Sequence, residues 1–575
     1  MRLALLAILG FTLSCSSMTA SCSQEAQLGT YDRDGDAKQS RSVVYAVHGM
    51  AATSDLRATQ AAVEILEAGG SAVDAAIAAN AVLGVVEPMS CGIGGDLFSI
   101  CWSAKENRLS GLNASGRAPQ AATLEEFERR GLKEIPVGGP LSWSVPGCVA
   151  GWHDLHQRYG TLPWDRLFAR AITLAEEGFP VAPVIAGYWL ASEAELKKSP
   201  HAAATFLVNA QAPREGDIFI NPRLASTYRK IAEQGMKSFY HGELAEAIDR
   251  YSQSVDGGLM KLADLKAHTN EWIDPVSTSY RGYDVWELPP NGQGIAALQM
   301  LNLVERHDVG AMGWGSPAWT HLLIEAKKLA FADRAKFYAD MRMANVPLQG
   351  LISKSYAAER DALFDPHKAL TNVPAGDPKL VQGDTIYLCV VDKDRNCCSL
   401  IQSNYHGFGS QLVAGDLGFA LQNRGALFAL DKNHLNCIAP GKRPFHTIIP
   451  AMVTKGGRPE LVFGVMGGDM QPQGHVQVLT NWIDFGMNIQ MAGDAARIRH
   501  EGSASPTGAA ETAGGGTVFA ESGIPASTLQ ALERKGHHVE SGGSFGGYQA
   551  IRIDWQRGIL QGASEARKDG AALGY

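Results

Sequence analysis

The chain has 575 residues, 45% of them hydrophobic, and a formal net charge of −8. That length and apolar content can bury a large core, and an acidic balance without a long basic run argues against nucleic acid as a partner. Past the leader, Cys91, Cys101, Cys148, Cys389, Cys397, Cys398 and Cys437 contain no CxxC pair, so a zinc cluster is not expected.

The chain opens with Arg2, an apolar run Leu3–Leu13, and then small polar residues. This pattern predicts a secretory signal over residues 1–22 and hence export; the run is too short to cross a bilayer. Cys15 and Cys22 each follow small residues and are candidates for lipid attachment. Residues 23–42 are polar and predict a disordered linker. Helical spacing follows over Ser54–Ala68, stopped by Gly69-Gly70. Ser71 and Asp74 predict a capping box for a second helix, Ala72–Val86, which is apolar all round and so sandwiched in a core. The glycine loop Ser90–Asp96 lacks the lysine and spacing of a phosphate loop, which leaves close backbone packing as its reading. Phe98–Trp102 and Arg108–Asn113 predict a hairpin. Trp152–Tyr159, Leu167–Glu177, much of residues 192–253, Ala296–Glu305 and Ala318–Tyr338 predict helices. Pro275–Trp286 reads as strand and turn, and Gly350–Gly383 as a polar connection. Further on, His446–Val453 and Leu461–Met466 read as strands and Val476–Phe485 as a helix, with Gly474-His475-Val476 at its opening. Tyr548–Asp554 and Leu560–Ala563 read as a final hairpin. This order suits two stacked sheets covered by helices on both sides.

The stretch with chemical potential is Gly383–Gln411. Thr385 precedes an apolar strand, Ile386–Val391, and a polar turn leads to the return strand Cys397–Ile401. One reading of Thr385 is an ordinary β-branched strand residue. The other is a nucleophile released by cleavage between Asp384 and Thr385. Its new α-amine, of reference pKa about 7.7–8.0, would be the base for its own hydroxyl. A rival motif, Gly542-Gly543-Ser544-Phe545-Gly546, fits G-x-S-x-G, but it has glycines around it and a strand after it, where a nucleophile elbow needs a strand before and a helix after. His406, His446 and His475 are scattered and read as hydrogen-bonded structural residues.

Across residues 46–575 the chain resembles the γ-glutamyltranspeptidase (glutathione hydrolase) family of the N-terminal-nucleophile hydrolase superfamily. The likeness rests on Gly70–Ala76, Gly92–Asp96, Val145-Pro146-Gly147, Asp384-Thr385, Val391–Asp394, Phe408-Gly409-Ser410, Lys442-Arg443-Pro444, Gly467-Gly468 and Gly562–Ser564, all in order. It implies an α+β fold, a four-layer αββα sandwich. It implies a precursor cut into a large subunit (43–384) and a small catalytic subunit (385–575) that stay associated as a heterodimer. It implies Thr385 as nucleophile, cleaving γ-glutamyl amides such as glutathione through an acyl-enzyme that passes to water or an amine. Gly467 and Gly468 match the backbone donors facing the oxyanion, and Ser403 a supporting hydroxyl. That chemistry calls for no cofactor and no metal.

The departures fall on the substrate head. The family's carboxylate-binding arginine corresponds to Arg117, displaced toward Ala118-Pro119. Tyr405 stands for an asparagine, Leu427 for an acidic residue that meets the substrate amine, and His446-Thr447 for paired serines, while Arg424 lies nearby. Losing an acid and gaining an arginine favours an anionic head over a zwitterionic one. The alternative reading is therefore the same chemistry on an oxamate-like or glutaryl-like amide, with Arg117, Ser403, Tyr405, Arg424, His446 and Thr447 as candidate substrate-binding residues.

Overall fold

The computed structural model describes residues 39–371, 373 and 384–575. The expected signal segment and Gly383 lie outside the described residues. At the end of the expected linker the backbone N–H and hydroxyl of Ser40 donate to Asp494, so this part is tied down.

Two seven-stranded antiparallel sheets form the centre. The first runs, edge to edge, through Val44–Ala46, Ile559–Ser564, Tyr548–Asp554, Arg458–Val465, Ala451–Lys455, Tyr283–Glu287 and Val276–Tyr280. The second runs through Ala571–Gly574, Met50–Thr53, Asp384–Val391, Cys397–Tyr405, Asp96–Ser103, Arg108–Ala114 and Glu271–Ile273. Both sheets take strands from either side of Thr385.

Strand Asp384–Val391 shows why the sheets stack as they do. Successive side chains point to opposite faces. Tyr387, Cys389 and Val391 enter the core between the sheets, where Phe98, Ile401, Met452, Val462 and Ile551 join them. Ile386, Leu388 and Val390 enter a second core under helices Leu56–Glu67, Ala72–Val86 and Cys148–Tyr159. Apolar on both faces, this strand is stable only when covered on both sides. The first sheet repeats the arrangement with Val453, Leu461 and Phe463 under helices Gly294–Val304, Pro317–Phe337 and Met470–Ile483. The result is helix, sheet, sheet, helix, as expected.

The predicted helix Ala72–Val86 has its capping box: Asp74 N–H donates to Ser71 Oγ, and Ser71 N–H to Asp74 Oδ2. Several elements differ from expectation. The strand predicted over His446–Val453 begins at Ala451, because the N–H groups of His446, Ile448 and Ile449 go to the Asn291 carbonyl, His446 Nδ1 and Gln471 Oε1, and Pro450 has none to give. His475 does not open a helix. It lies inside Met470–Ile483, where it bonds buried Glu287. Gly350–Gly383 contains a helix, Lys354–Asp361, capped by Ser353. A small sheet of Ile498–Glu501, Thr517–Ala520 and His538–Ser541 was not foreseen, since its strands are short and mixed in polarity.

Candidate active site

Thr385 sits where the ladder between the two central strands slips. Asp384 pairs with Tyr405 and Ile386 with Gln402, so Thr385 alone faces Ser403 and Asn404. Such a bulge bends the strand and re-aims a side chain. The Thr385 hydroxyl, 2% exposed, donates to Ser403 Oγ at 3.3 Å. Ser403 Oγ also accepts the Tyr405 N–H at 2.8 Å. Tyr405 has φ +81°, a region costly for a bulky side chain, and its ring is thereby set under Arg424, whose guanidinium carbon is 4.7 Å from the ring centre.

The loop Ser90–Asp96 packs against this strand. A Cβ on Gly95 would lie 2.4 Å from both Asn404 Oδ1 and the Ser403 carbonyl, and one on Gly94 would lie 2.0 Å from the Ala420 carbonyl. Gly92 exchanges hydrogen bonds with the Gln402 side chain in both directions. The glycines serve backbone contact, which is the reading taken from the sequence.

Arg424 is fully buried. Its Nη1 donates to Thr447 Oγ1 at 2.7 Å, while Nε and Nη2 have no hydrogen-bond partner among the described residues. Burial pulls its pKa down to about 10, and the nearby Asp96 carboxyl and Tyr405 ring oppose that shift. A buried guanidinium with two unused donor nitrogens suits a ligand carboxylate. His446 Nε2 lies 3.0 Å from Asp96 Oδ2, with both side chains fully buried. Burial pushes the Asp96 carboxyl up to about 7, against Arg424 and bonds from Gln422 and the Gly116 N–H. Burial and the Arg424 charge hold the His446 imidazole well below its usual range. His446 is therefore neutral and positions Asp96 beneath the site. Leu427 is buried in the same apolar cluster as Tyr405 and Phe445.

Gly467 (φ +113°) and Gly468 (φ +57°) turn the chain between strand Arg458–Val465 and helix Met470–Ile483, in a conformation that favours glycine. Their carbonyls accept the N–H groups of Met470 and Gln471. Among the described residues no acceptor bonds either glycine N–H. Gln293 Nε2 donates to the carbonyls of Gly468 and Thr447, and Gln293 Oε1 accepts from Arg334 Nη1. Arg334 in turn holds Asp469 through its two terminal guanidinium nitrogens, at 2.6 and 2.9 Å. One continuous set of contacts thus runs from Thr385 through Ser403, Tyr405, Arg424 and Thr447 to Gly468.

Arg117 lies elsewhere. Its guanidinium is on the Gly441 carbonyl at 3.3 Å and 3.9 Å from Asp340, beside Arg443 in sequence-distant company. The G-x-S-x-G segment has a different task from that of a nucleophile elbow. Ser544 is exposed, while Gly546 Cα comes within 3.2 Å of where a Gly467 Cβ would stand and the Gly547 carbonyl accepts the Met466 N–H. Sequence reasoning missed Gln293, which caps helix Gly294–Val304 just ahead of the predicted Ala296–Glu305, and Arg334, one polar residue inside a long helix. The only signal in that direction was Asp469, immediately after the glycine pair. Cys389, Cys397 and Cys398 are buried free thiols that pack as small core residues.

The four-layer fold with a threonine at the head of a central strand is that of the N-terminal-nucleophile hydrolases. The family model for gamma-glutamyltranspeptidase matches residues 58–575, and the chain belongs to the γ-glutamyltranspeptidase family. It is 38% identical over 522 residues to the glutathione hydrolase-like YwrD proenzyme of Bacillus subtilis (90% of this chain, 96% of the relative). It is 36% identical over 544 residues to the oxamate amidohydrolase proenzyme of Klebsiella pneumoniae (92% of this chain, 98% of the relative). The crystal structure of cephalosporin acylase from Bacillus halodurans superposes with a TM-score of 0.86 at 42% identity, covering 93% of this chain and 97% of that one. The chain is a self-processing amidohydrolase or transferase of this family. Among the described residues no helix is long and apolar enough to cross a membrane.

Proposed function

We propose that the exported precursor cuts itself between Asp384 and Thr385, and that the freed Thr385 cleaves γ-glutamyl amides such as glutathione. The Thr385 α-amine takes the proton from its hydroxyl, and the oxygen attacks the amide carbonyl. Negative charge on the carbonyl oxygen meets the N–H groups of Gly467 and Gly468. Collapse expels the amine, which leaves with the proton from the ammonium. The acyl group on Thr385 then passes to water or to an acceptor amine. Arg424 receives the carboxylate of the acyl head. The observation that carries this reading is the Thr385–Ser403 hydroxyl contact at the slipped ladder, joined through Tyr405 to a buried guanidinium with unused donors. Large (43–384) and small (385–575) chains stay together as a heterodimer because each supplies strands to both sheets.

A second reading, an oxamate-like or glutaryl-like acyl group, is favoured by Leu427. It puts an apolar side chain where an ammonium would need a partner. Turnover of a γ-glutamyl anilide beside glutaryl and oxamate amides separates the two. Processed enzyme with no γ-glutamyl turnover rejects the first reading. A single full-length band with no turnover of any of them rejects both.

A further inference from the structure

Far in sequence from the Thr385 site, three side chains converge on one point. His321 and Glu325 lie one turn apart on helix Pro317–Phe337, and His537 follows helix Ala526–Arg534. All three are buried, and one ligand atom from each lies within 4.8 Å of the others. His321 Nδ1 is 2.7 Å from His537 Nε2, and Glu325 Oε1 is 3.8 Å from the same nitrogen. We propose that His321, Glu325 and His537 form a binding site for a divalent transition metal, best matched by zinc.

The donor set is two imidazole nitrogens and one carboxylate oxygen, a set that zinc accepts with water in a fourth position. The surroundings fit that role. His321 Nε2 donates to the Asp365 carbonyl at 2.8 Å, which leaves Nδ1 with its lone pair toward the site. Backbone carbonyls commonly orient metal-binding histidines in this way. Glu325 Oε2 is fixed by the Leu370 N–H at 3.0 Å, so Oε1 faces inward. A tetrahedral ion with bonds of about 2.0–2.1 Å would hold the two nitrogens roughly 3.3 Å apart, so they must separate by about 0.6 Å. The proton that His537 Nε2 now donates to His321 would move to Nδ1.

Lys328 is a built-in competitor, its ammonium lying 3.0 Å from Glu325 Oε1 while also donating to the Leu370 carbonyl. Metal binding requires Oε1 to exchange that contact for the ion, and Lys328 keeps the carbonyl. The site joins three pieces of chain. His321 and Glu325 precede Thr385, His537 follows it, and the Asp365–Leu370 segment that braces them leads toward the cleavage point. If Thr385 is freed as proposed, the ion would pin the large chain to the small one; the metal site itself does not depend on that cleavage.

Zinc content after exhaustive dialysis, zinc titration calorimetry and the visible spectrum of the cobalt-substituted protein are measured on the wild-type chain and on the uncleavable Thr385→Ala chain. Both should take up one ion per chain with a four-coordinate cobalt spectrum. His537→Ala should weaken binding on the order of 100-fold or more, Glu325→Gln should also weaken it, and Lys328→Met should strengthen it. With free zinc at about 100 times Kd, the unfolding equilibrium constant should fall roughly 100-fold in the wild type. Equal zinc affinity in wild type and His537→Ala overturns the proposal. So does a wild-type protein with no cobalt band and no zinc effect on unfolding, a result that leaves only a hydrogen-bonded histidine pair. The wild-type measurements stand even where His537→Ala fails to fold. Zinc bound by a wild-type chain that stays at full length would uphold this inference while rejecting the proposed self-cleavage.

Discussion

Replacing Arg424 with methionine tests the heart of the substrate reading. The guanidinium is fully buried, spends one nitrogen on Thr447 and leaves two unbonded among the described residues. A ligand carboxylate would take two charge-assisted hydrogen bonds from it. At about 1.5 kcal/mol each they total about 3 kcal/mol, or roughly 100-fold in affinity. Because the carboxylate lies away from the scissile bond, the loss is uniform binding and should appear in KM with kcat nearly unchanged. Methionine fills similar volume and keeps apolar contact with the Tyr405 ring. Arg424→Lys retains charge but not the planar fork, so it should recover only part of the loss. The assay is initial-rate kinetics with γ-glutamyl and glutaryl anilides, on protein shown by mass spectrometry to be processed. A KM within about twofold of wild type for both substrates, by the same arithmetic, would refute the role given to Arg424.

Thr385→Ala should stay at full length on a denaturing gel and turn over nothing, whereas a fragment beginning Thr385-Ile386-Tyr387 should be found in the wild type by N-terminal sequencing; alanine that leaves turnover intact would sink the mechanism. Gly467→Ala places a Cβ 3.2 Å from Gly546 Cα at a φ of +113°, and should lower kcat by about 10²–10³-fold through the displaced donor; an unchanged kcat would remove Gly467 from the oxyanion site. Glu87, buried beside Ser54, has its carboxyl pushed up to about 7 from 4.5 by burial, partly opposed by Lys568 and the Ser54 hydroxyl. A raised carboxyl contributes stability that is present below the unfolded pKa and lost as pH rises through the folded one, so wild-type stability should fall between pH 4.5 and 7. Glu87→Gln should flatten that fall by up to about 3 kcal/mol in urea unfolding at pH 5 and pH 8; parallel curves for the two proteins would contradict the shift.

Much of this protein was written locally. The helix Ala72–Val86 announces itself through its cap and its unbroken apolar surface, and the central hairpin through two short apolar runs separated by a polar turn. Both are short-range properties, set by backbone hydrogen bonding and side-chain direction within one element. The ordered motifs also identified the family, and they single out Thr385 and the glycine pair as the residues to test. What no local pattern could decide was company. Arg117 and Arg424 are equally basic in the sequence, yet one is partly buried with its guanidinium 3.9 Å from Asp340 and the other is fully buried over the Tyr405 ring. Gln293 and Arg334 brace Gly468 and Asp469 from more than a hundred residues away. His537 meets His321 across 216 positions. Contacts of that separation arise only when the two sheets and their helices close on one another, because burial and distance in space, which set charge, proton affinity and ligand geometry, are properties of the packed layers and not of the string of residues.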